Sequence, residues 1–198
     1  MSPLTELIGS AKAYGWGSFA AVGAFESIAT VNLSSAQAVI DFDSIPQTYA
    51  HLQLRGILRA TDTNDMPRVR INNSSTSSNY MWHNLVGNGQ TVSSGNGVGQ
   101  GDTYFRFRPM ANTNSPANSY AGFVMDILDY ANTSKIKAIK IRGGHTHNLL
   151  HGTQSNPAFI GIGSGAYFQT SAINRITFLT SANYAQYSSI ALYGIKEV

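Results

Sequence analysis

The stretch that most narrows what this chain can fold into is its last run, Tyr184 to Val198, and within it Ser188 to Lys196. Side chains alternate there with period two: Ile190, Leu192 and Gly194 fall on one face, Ala191, Tyr193 and Ile195 on the other. A half-exposed strand carries polar residues on one side. Here both sides are apolar, so the run is expected mid-sheet or against a second subunit. A chain whose last residues form such a strand closes its core only when synthesis is finished, which suggests a sandwich or jelly roll with interleaved termini.

The same alternation recurs from Phe25 onward. Phe25, Ser27, Ala29 and Val31 oppose Glu26, Ile28 and Thr30, and Ala38, Ile40 and Phe42 oppose Val39, Asp41 and Asp43 before Ile45-Pro46 breaks the pattern. Leu52, Leu54 and Leu58 point inward with Gln53, Arg55 and Arg59 outward, then Val69 and Ile71 inward with Arg68 and Arg70 outward. Tyr80 to His83 and Tyr104 to Met110 read as further strands. The rest of 72–102 reads as loop, and Val86 to Gly101 is almost wholly Gly, Asn, Ser and Gln. A loop of that length in a compact domain is usually functional or mobile. Phe123, Met125 and Ile127 share a face of Gly122 to Leu128, while the alternation slips near Ala138, which predicts a bulge. Phe159 to Ile162, Ile173 to Thr180 and Ser188 to Lys196 complete about ten strands, with no helix of useful length. The predicted fold is all-β: an antiparallel β-sandwich of jelly-roll type over residues 25–198, preceded by an extended N-terminal arm, residues 1–24.

Composition then excludes whole classes. A length of 198 residues suits one well-buried domain. Charged residues make up 12% of the chain, about half the globular average of roughly 25%. Without cysteine there are no disulfides, thiolate metal sites or cysteine nucleophiles. The net charge of +3 comes from 13 scattered basic residues, so no nucleic-acid partner is expected. No run approaches the ~18 apolar residues of a membrane span, and the first residues lack the basic segment of a signal peptide. The chain reads as a soluble protein made in a reducing cytoplasm, with no membrane insertion.

Residues 1–24 differ from the rest. Glycine and alanine separate Tyr14, Trp16 and Phe19, rings that are costly to leave in water. Two readings stand, a strap on its own domain or an arm docking on another subunit. The scarcity of polar cover favours docking.

Catalytic chemistry has thin support. Asp41 and Asp43 share a strand face and Asp126 and Asp129 bracket a strand end, so a paired-carboxylate glycosidase could draw on them. Turn caps and surface ion pairs are the commoner fate of such residues. No nucleophile elbow, P-loop or zincin motif occurs, and neither enzyme activity nor a cofactor is expected. His145 and His147 lie on one side of an extended segment, with His151 four residues on, and two imidazoles at that spacing can chelate a divalent ion. A solvated loop is the favoured reading over a metal site. Tyr80, Trp82 and His83 beside the glycine-rich loop, and Tyr120, Tyr130, Tyr167 and Tyr184 beside turns, suit stacking on sugar rings. Plugging sandwich ends or packing on a neighbouring subunit is the favoured alternative.

Three stretches carry a family likeness: Ser44 to Gly56 (Ser-Ile-Pro-Gln-Thr-Tyr-Ala-His-Leu-Gln-Leu-Arg-Gly), Phe123 to Thr133 (Phe-Val-Met-Asp-Ile-Leu-Asp-Tyr-Ala-Asn-Thr) and Tyr187 to Lys196. In order and spacing they resemble virion structural proteins and tail-fibre-like modules of tailed bacteriophages, notably those of cyanobacteria and other aquatic bacteria. The His-x-His pair also resembles the pattern by which some trimeric phage fibres hold an iron on their three-fold axis. The resemblance implies a β-sandwich subunit of the virion, commonly a homotrimer, on the capsid surface or the tail and fibre apparatus, touching other virion proteins. A module that binds host surface glycan through Tyr80, Trp82 and His83 is the alternative. A glycan-degrading enzyme using Asp41, Asp43 or Asp126 is the third reading.

Overall fold

The computed structural model describes residues 24–63, 66–88, 91–96, 102–108, 110–145 and 158–196. Among them are twelve strands: β1 (Phe25–Asn32), β2 (Gln37–Phe42), β3 (His51–Leu58), β4 (Arg68–Ile71), β5 (Tyr80–Gly87), β6 (Val92–Asn96), β7 (Phe105–Arg106), β8 (Ala121–Leu128), β9 (Lys137–His145), β10 (Phe159–Tyr167), β11 (Ile176–Tyr184) and β12 (Ser189–Ile195). A single 3-10 turn, Ser77–Asn79, precedes β5. The fold is all-β, as the alternation predicts. The arm residues Tyr14, Trp16 and Phe19 lie outside the described residues.

The strands form two antiparallel sheets. The larger runs β1-β12-β3-β8-β9-β10-β5-β6 and the smaller β2-β11-β4-β7. One hydrophobic core draws on both: Leu52, Leu54, Met125, Ile139 and Leu192 from the larger, Ile40, Val69, Phe105 and Phe178 from the smaller. Phe123 joins the layers, its ring 5.3 Å from Phe107 and 5.8 Å from Phe178.

The terminal strand β12 sits inside the larger sheet, paired with β1 on one side and β3 on the other. Ile190, Leu192 and Gly194 are buried, whereas Ala191, Tyr193 and Ile195 are half-buried on the outer face. Gly194 is required where it stands. A Cβ there would lie 2.3 Å from the ring of Tyr49, which packs flat on the strand.

Several expectations need correction. No bulge interrupts β9, which pairs in continuous register with β8 and β10. The apparent slip near Ala138 arises because Lys137, not Ile136, shares the core face with Ile139 and Ile141. Lys137 is fully buried. Its ammonium donates to the carbonyls of Lys135 (2.9 Å), Thr170 (3.0 Å) and Asn132, tying the β8–β9 turn to the segment after β10. Burial pushes its pKa below the ordinary value. Gln53 lies on the outer face as its parity predicts, yet it is buried there, its amide donating to Asp126 at 2.6 Å.

The polar run after Val86 also contains a strand, β6, hydrogen-bonded along β5. Conversely, Tyr104 to Met110 supplies only the two-residue β7. In β1, a register shift between Ser27 and Ala29 lets Ile28 and Ala29 both pack on the core. Arg59 is half-buried, and its guanidinium donates to the carbonyls of Pro116 and Ser119 (2.8 Å each) and Ser115 (3.1 Å), fixing the loop before β8.

Candidate functional site

Tyr80 and Trp82 face the core. Alternation along β5 buries Tyr80, Trp82, Asn84 and Val86 and turns His83 and Leu85 outward. The Tyr80 hydroxyl accepts from the Ile71 backbone N–H (3.0 Å) and donates to the Ser74 carbonyl (2.9 Å), and burial raises its pKa to about 12. Trp82 donates its indole N–H to Asp102 (3.0 Å), which also holds Arg106 at 3.1 Å. Neither ring keeps an open face for a sugar. Of that trio only His83 is exposed. Tyr130, Tyr167 and Tyr184 are buried too, with Tyr184 donating to the Leu179 carbonyl at 2.8 Å. Tyr120 stays half-buried and donates to the Gln186 carbonyl at 2.7 Å.

His145 ends β9 as a buried residue, its ring 5.7 Å from that of Phe159. His147 and His151 lie outside the described residues. Among the described residues no group of three or more His, Cys, Asp or Glu side chains is placed to hold a metal ion.

Most of the acidic residues singled out from the sequence are tied into structural contacts. Asp41 takes both the Nε (3.0 Å) and a terminal nitrogen of Arg175, plus the Thr177 hydroxyl at 2.6 Å. Asp129 bonds Lys135 at 2.8 Å, which lowers its pKa, and lies 3.6 Å from His51. Asp126 accepts from Gln53, whose own amide oxygen accepts from Arg55 at 2.6 Å. Asp43 is exposed.

The feature that remains is the outer face of the larger sheet. The pairings place Ile57, Gly122, Gly144, Ile160, Gly87 and Val92 in one row across β3, β8, β9, β10, β5 and β6. The next row is Arg55, Val124, Arg142, Ile162, Leu85 and Ser94, and the third is Gln53, Asp126, Lys140, Ser164, His83 and Asn96. Cations therefore gather over the middle strands. At the β1 end, Arg55 lies 5.2 Å from the Phe25 ring and 5.4 Å from that of Tyr193. Towards the β6 end, Ile160, Ile162, Leu85 and Val92 make the first two rows largely aliphatic, and the third row is polar with Ser164, His83 and Asn96.

Sequence reasoning missed this aliphatic end. The available signal was Ile160-Gly161-Ile162-Gly163, where glycine occupies one parity and isoleucine the other. Comparison with family models, curated proteins and solved structures finds no match to this chain.

Proposed function

We propose that this chain is a structural subunit of a tailed-phage virion, assembled as a homo-oligomer, a trimer by the resemblance, on the capsid surface or the tail and fibre apparatus. The observation that carries the reading is the strand order. Setting aside the hairpins β5–β6 and β9–β10 leaves eight strands ordered β1-β12-β3-β8 and β2-β11-β4-β7. Counted along those eight, the sheets run first-eighth-third-sixth and second-seventh-fourth-fifth, the order of two Greek keys rolled together. This supports a jelly-roll reading, with the two hairpins added beside β8 to widen one sheet. Viral capsid domains are a principal home of that architecture, but a fold alone does not assign a function. The phage-like stretches Ser44 to Gly56, Phe123 to Thr133 and Tyr187 to Lys196 supply the second support, and the aliphatic end of the outer sheet face the third.

An antibody raised against the purified chain, applied to intact particles of the phage that encodes it, tests the proposal by electron microscopy. Decoration at a repeating site on capsid or tail is expected. Bare particles, with the chain missing from their mass-spectrometric protein profile, refute it.

A glycan-binding role is the second reading, with its platform moved. Tyr187 is 68% exposed and held at φ 67° in the β11–β12 turn, where its ring gains little from burial. The bonds from its N–H to Leu33 (2.8 Å) and from Tyr120 to Gln186 (2.7 Å) fix the turn, so the ring stands on a rigid base. Binding on a glycan array that disappears in Tyr187→Ala supports this reading, and a blank array removes it.

A further inference from the structure

Strand β10 is built inside out. Between Phe159 and the buried Tyr167, the positions of the core-side parity are Gly161, Gly163 and Gly165, while Ile160 and Ile162 point to solvent. The glycines are enforced by their neighbours. A Cβ at Gly165 would lie 1.9 Å from the Phe105 ring, one at Gly163 2.4 Å from Asn84 Oδ1, and one at Gly161 3.0 Å from the Arg108 carbonyl. Slipping the register by one residue would drive the isoleucines into that space, so packing itself holds them outside. Ile160 and Ile162 are 70% and 57% exposed, and Leu85 and Val92 beside them 48% and 71%. Ile162 is directly opposite Leu85, and Gly87 alone separates Ile160 from Val92. No Asp, Glu, Lys or Arg occurs anywhere in β10, β5 or β6. The result is an uncharged aliphatic strip with side-chain-free dips at Gly87 and Gly144.

We propose that this strip receives the N-terminal arm of a second copy of the chain, with Tyr14, Trp16 and Phe19 seated between the aliphatic side chains. This deepens the assembly reading above and rests on it. Residues 13–23 carry no charge, matching the strip, whereas an acidic partner would settle on the cations that border it, Arg142 and Lys140 on β9, and on Arg55 beyond them. Rings separated by glycine, as in Tyr14-Gly15-Trp16-Gly17, complement a surface whose relief is aliphatic ridges and glycine dips.

Chain length selects the second copy over the arm's own domain. The arm joins the fold at Ala24, whose carbonyl accepts from the Lys196 N–H (3.1 Å) beside β1, at the opposite edge of the sheet. From β1 the strip begins five strand spacings away at β10 and ends seven away at β6, about 24 to 34 Å at ~4.8 Å each. Phe19 is six residues from Phe25 and reaches at most about 22 Å at ~3.6 Å per residue. Trp16 reaches about 32 Å only when fully taut. The three rings cannot sit together on their own strip. On a neighbour's strip they can.

The test uses the full chain in solution. Analytical ultracentrifugation over a concentration series should find wild type associating, and should find Ile160→Lys/Ile162→Lys and Trp16→Ala each at least 10-fold weaker. Combining the changes should add nothing, because both remove the same contact. Since the chain has only two tryptophans, a Trp82→Phe background isolates Trp16, whose emission should shift to the red in the lysine variant. Leu85→Lys is the second strip variant, and unchanged far-UV circular dichroism identifies variants that keep the fold. Three results overturn the proposal: a monomeric wild type, folded lysine variants that associate as wild type does, or association lost with the lysines but untouched by Trp16→Ala. The last would mean strip packed on strip. No particle is needed for this experiment, so a chain that associates as described yet never decorates virions refutes the assembly role alone.

Discussion

Gly165→Ala is the sharpest probe of how β10 is seated. The new methyl would lie 1.9 Å from Phe105 Cε2, 2.4 Å from Cδ2 and 2.6 Å from the Met81 carbonyl oxygen. Carbon atoms in contact sit about 3.5–4.0 Å apart, so the ring would have to retreat by more than an ångström. Phe105 has no solvent-exposed surface, and the carbonyl belongs to a strand paired directly with β10. Overpacking typically costs 1–3 kcal/mol. With a backbone atom among the obstacles the upper end applies, about 3 kcal/mol, which lowers Tm by roughly 6–12 °C for a domain of this size. The decisive assay is a double-mutant cycle. Phe105→Ala alone should cost about 3–5 kcal/mol through the cavity it opens. In the Gly165→Ala background it should cost less by on the order of 2 kcal/mol, because removing the ring relieves the clash. Chemical denaturation of the four proteins gives the coupling energy. Additive costs, or a Gly165→Ala melt indistinguishable from wild type, would refute the packing and with it the outward placement of Ile160 and Ile162.

Other perturbations test other parts. Lys137→Met leaves three carbonyls without their ammonium, and the loss should outweigh the relief of desolvation, lowering stability by about 3 kcal/mol in a denaturant titration. Because burial depresses the Lys137 pKa, the folded state releases this proton before the unfolded chain does. The wild-type advantage over Lys137→Met should therefore widen as pH rises towards the ordinary value of 10.5, and a constant gap contradicts the buried setting. Tyr80 has the opposite alkaline sign: its pKa is raised from 10.0 to about 12, so its stabilisation is complete below pH 10.0 and is lost as pH climbs through about 12. Tyr80→Phe should be less stable at neutral pH, by about 1–3 kcal/mol for the unpaired Ile71 N–H, and less sensitive between those values in alkaline melts. Tyr187→Gly should raise stability by up to about 1 kcal/mol by relieving the left-handed backbone, and a lower Tm would show that the exposed ring supports the fold.

Legibility followed parity. Leu52, Leu54 and Leu58 are buried as their alternation predicts, and β12 lies inside the sheet as its two apolar faces require. Parity misled where chemistry inverted the usual sorting. Lysine is rarely buried unless partnered, so Lys137 on the core parity reads as a slip near Ala138. Two of the carbonyls that hold its ammonium, Asn132 and Lys135, are close in the chain, but the third, Thr170, is 33 residues away. The run Tyr80 to His83 is too short to fix which parity of its strand is buried. Extending β5 to Val86 puts Tyr80 and Trp82 on the buried parity, with Leu85 on the other. Strand β6, Val-Ser-Ser-Gly-Asn, has composition indistinguishable from loop, and only its hydrogen bonds to β5 make it a strand.

The inverted strand marks a general boundary of pattern reading. Alternating isoleucine and glycine has the same period whether the isoleucines face the core or the solvent, so periodicity yields two sets of residues and not their direction. The neighbours choose. Where a fully buried phenylalanine from the opposing sheet lies against the strand, a glycine beneath the ring lets the layers approach, and aliphatic side chains of the other parity must then turn outward. Phe105 and Asn84 make that choice in this chain, both more than fifty residues before β10 in sequence. Outward isoleucines held in this way cannot retreat into the core by a register slip, so an exposed aliphatic strip persists unless another surface covers it. Such a strip is better explained by what docks there than by the stability of the domain that displays it.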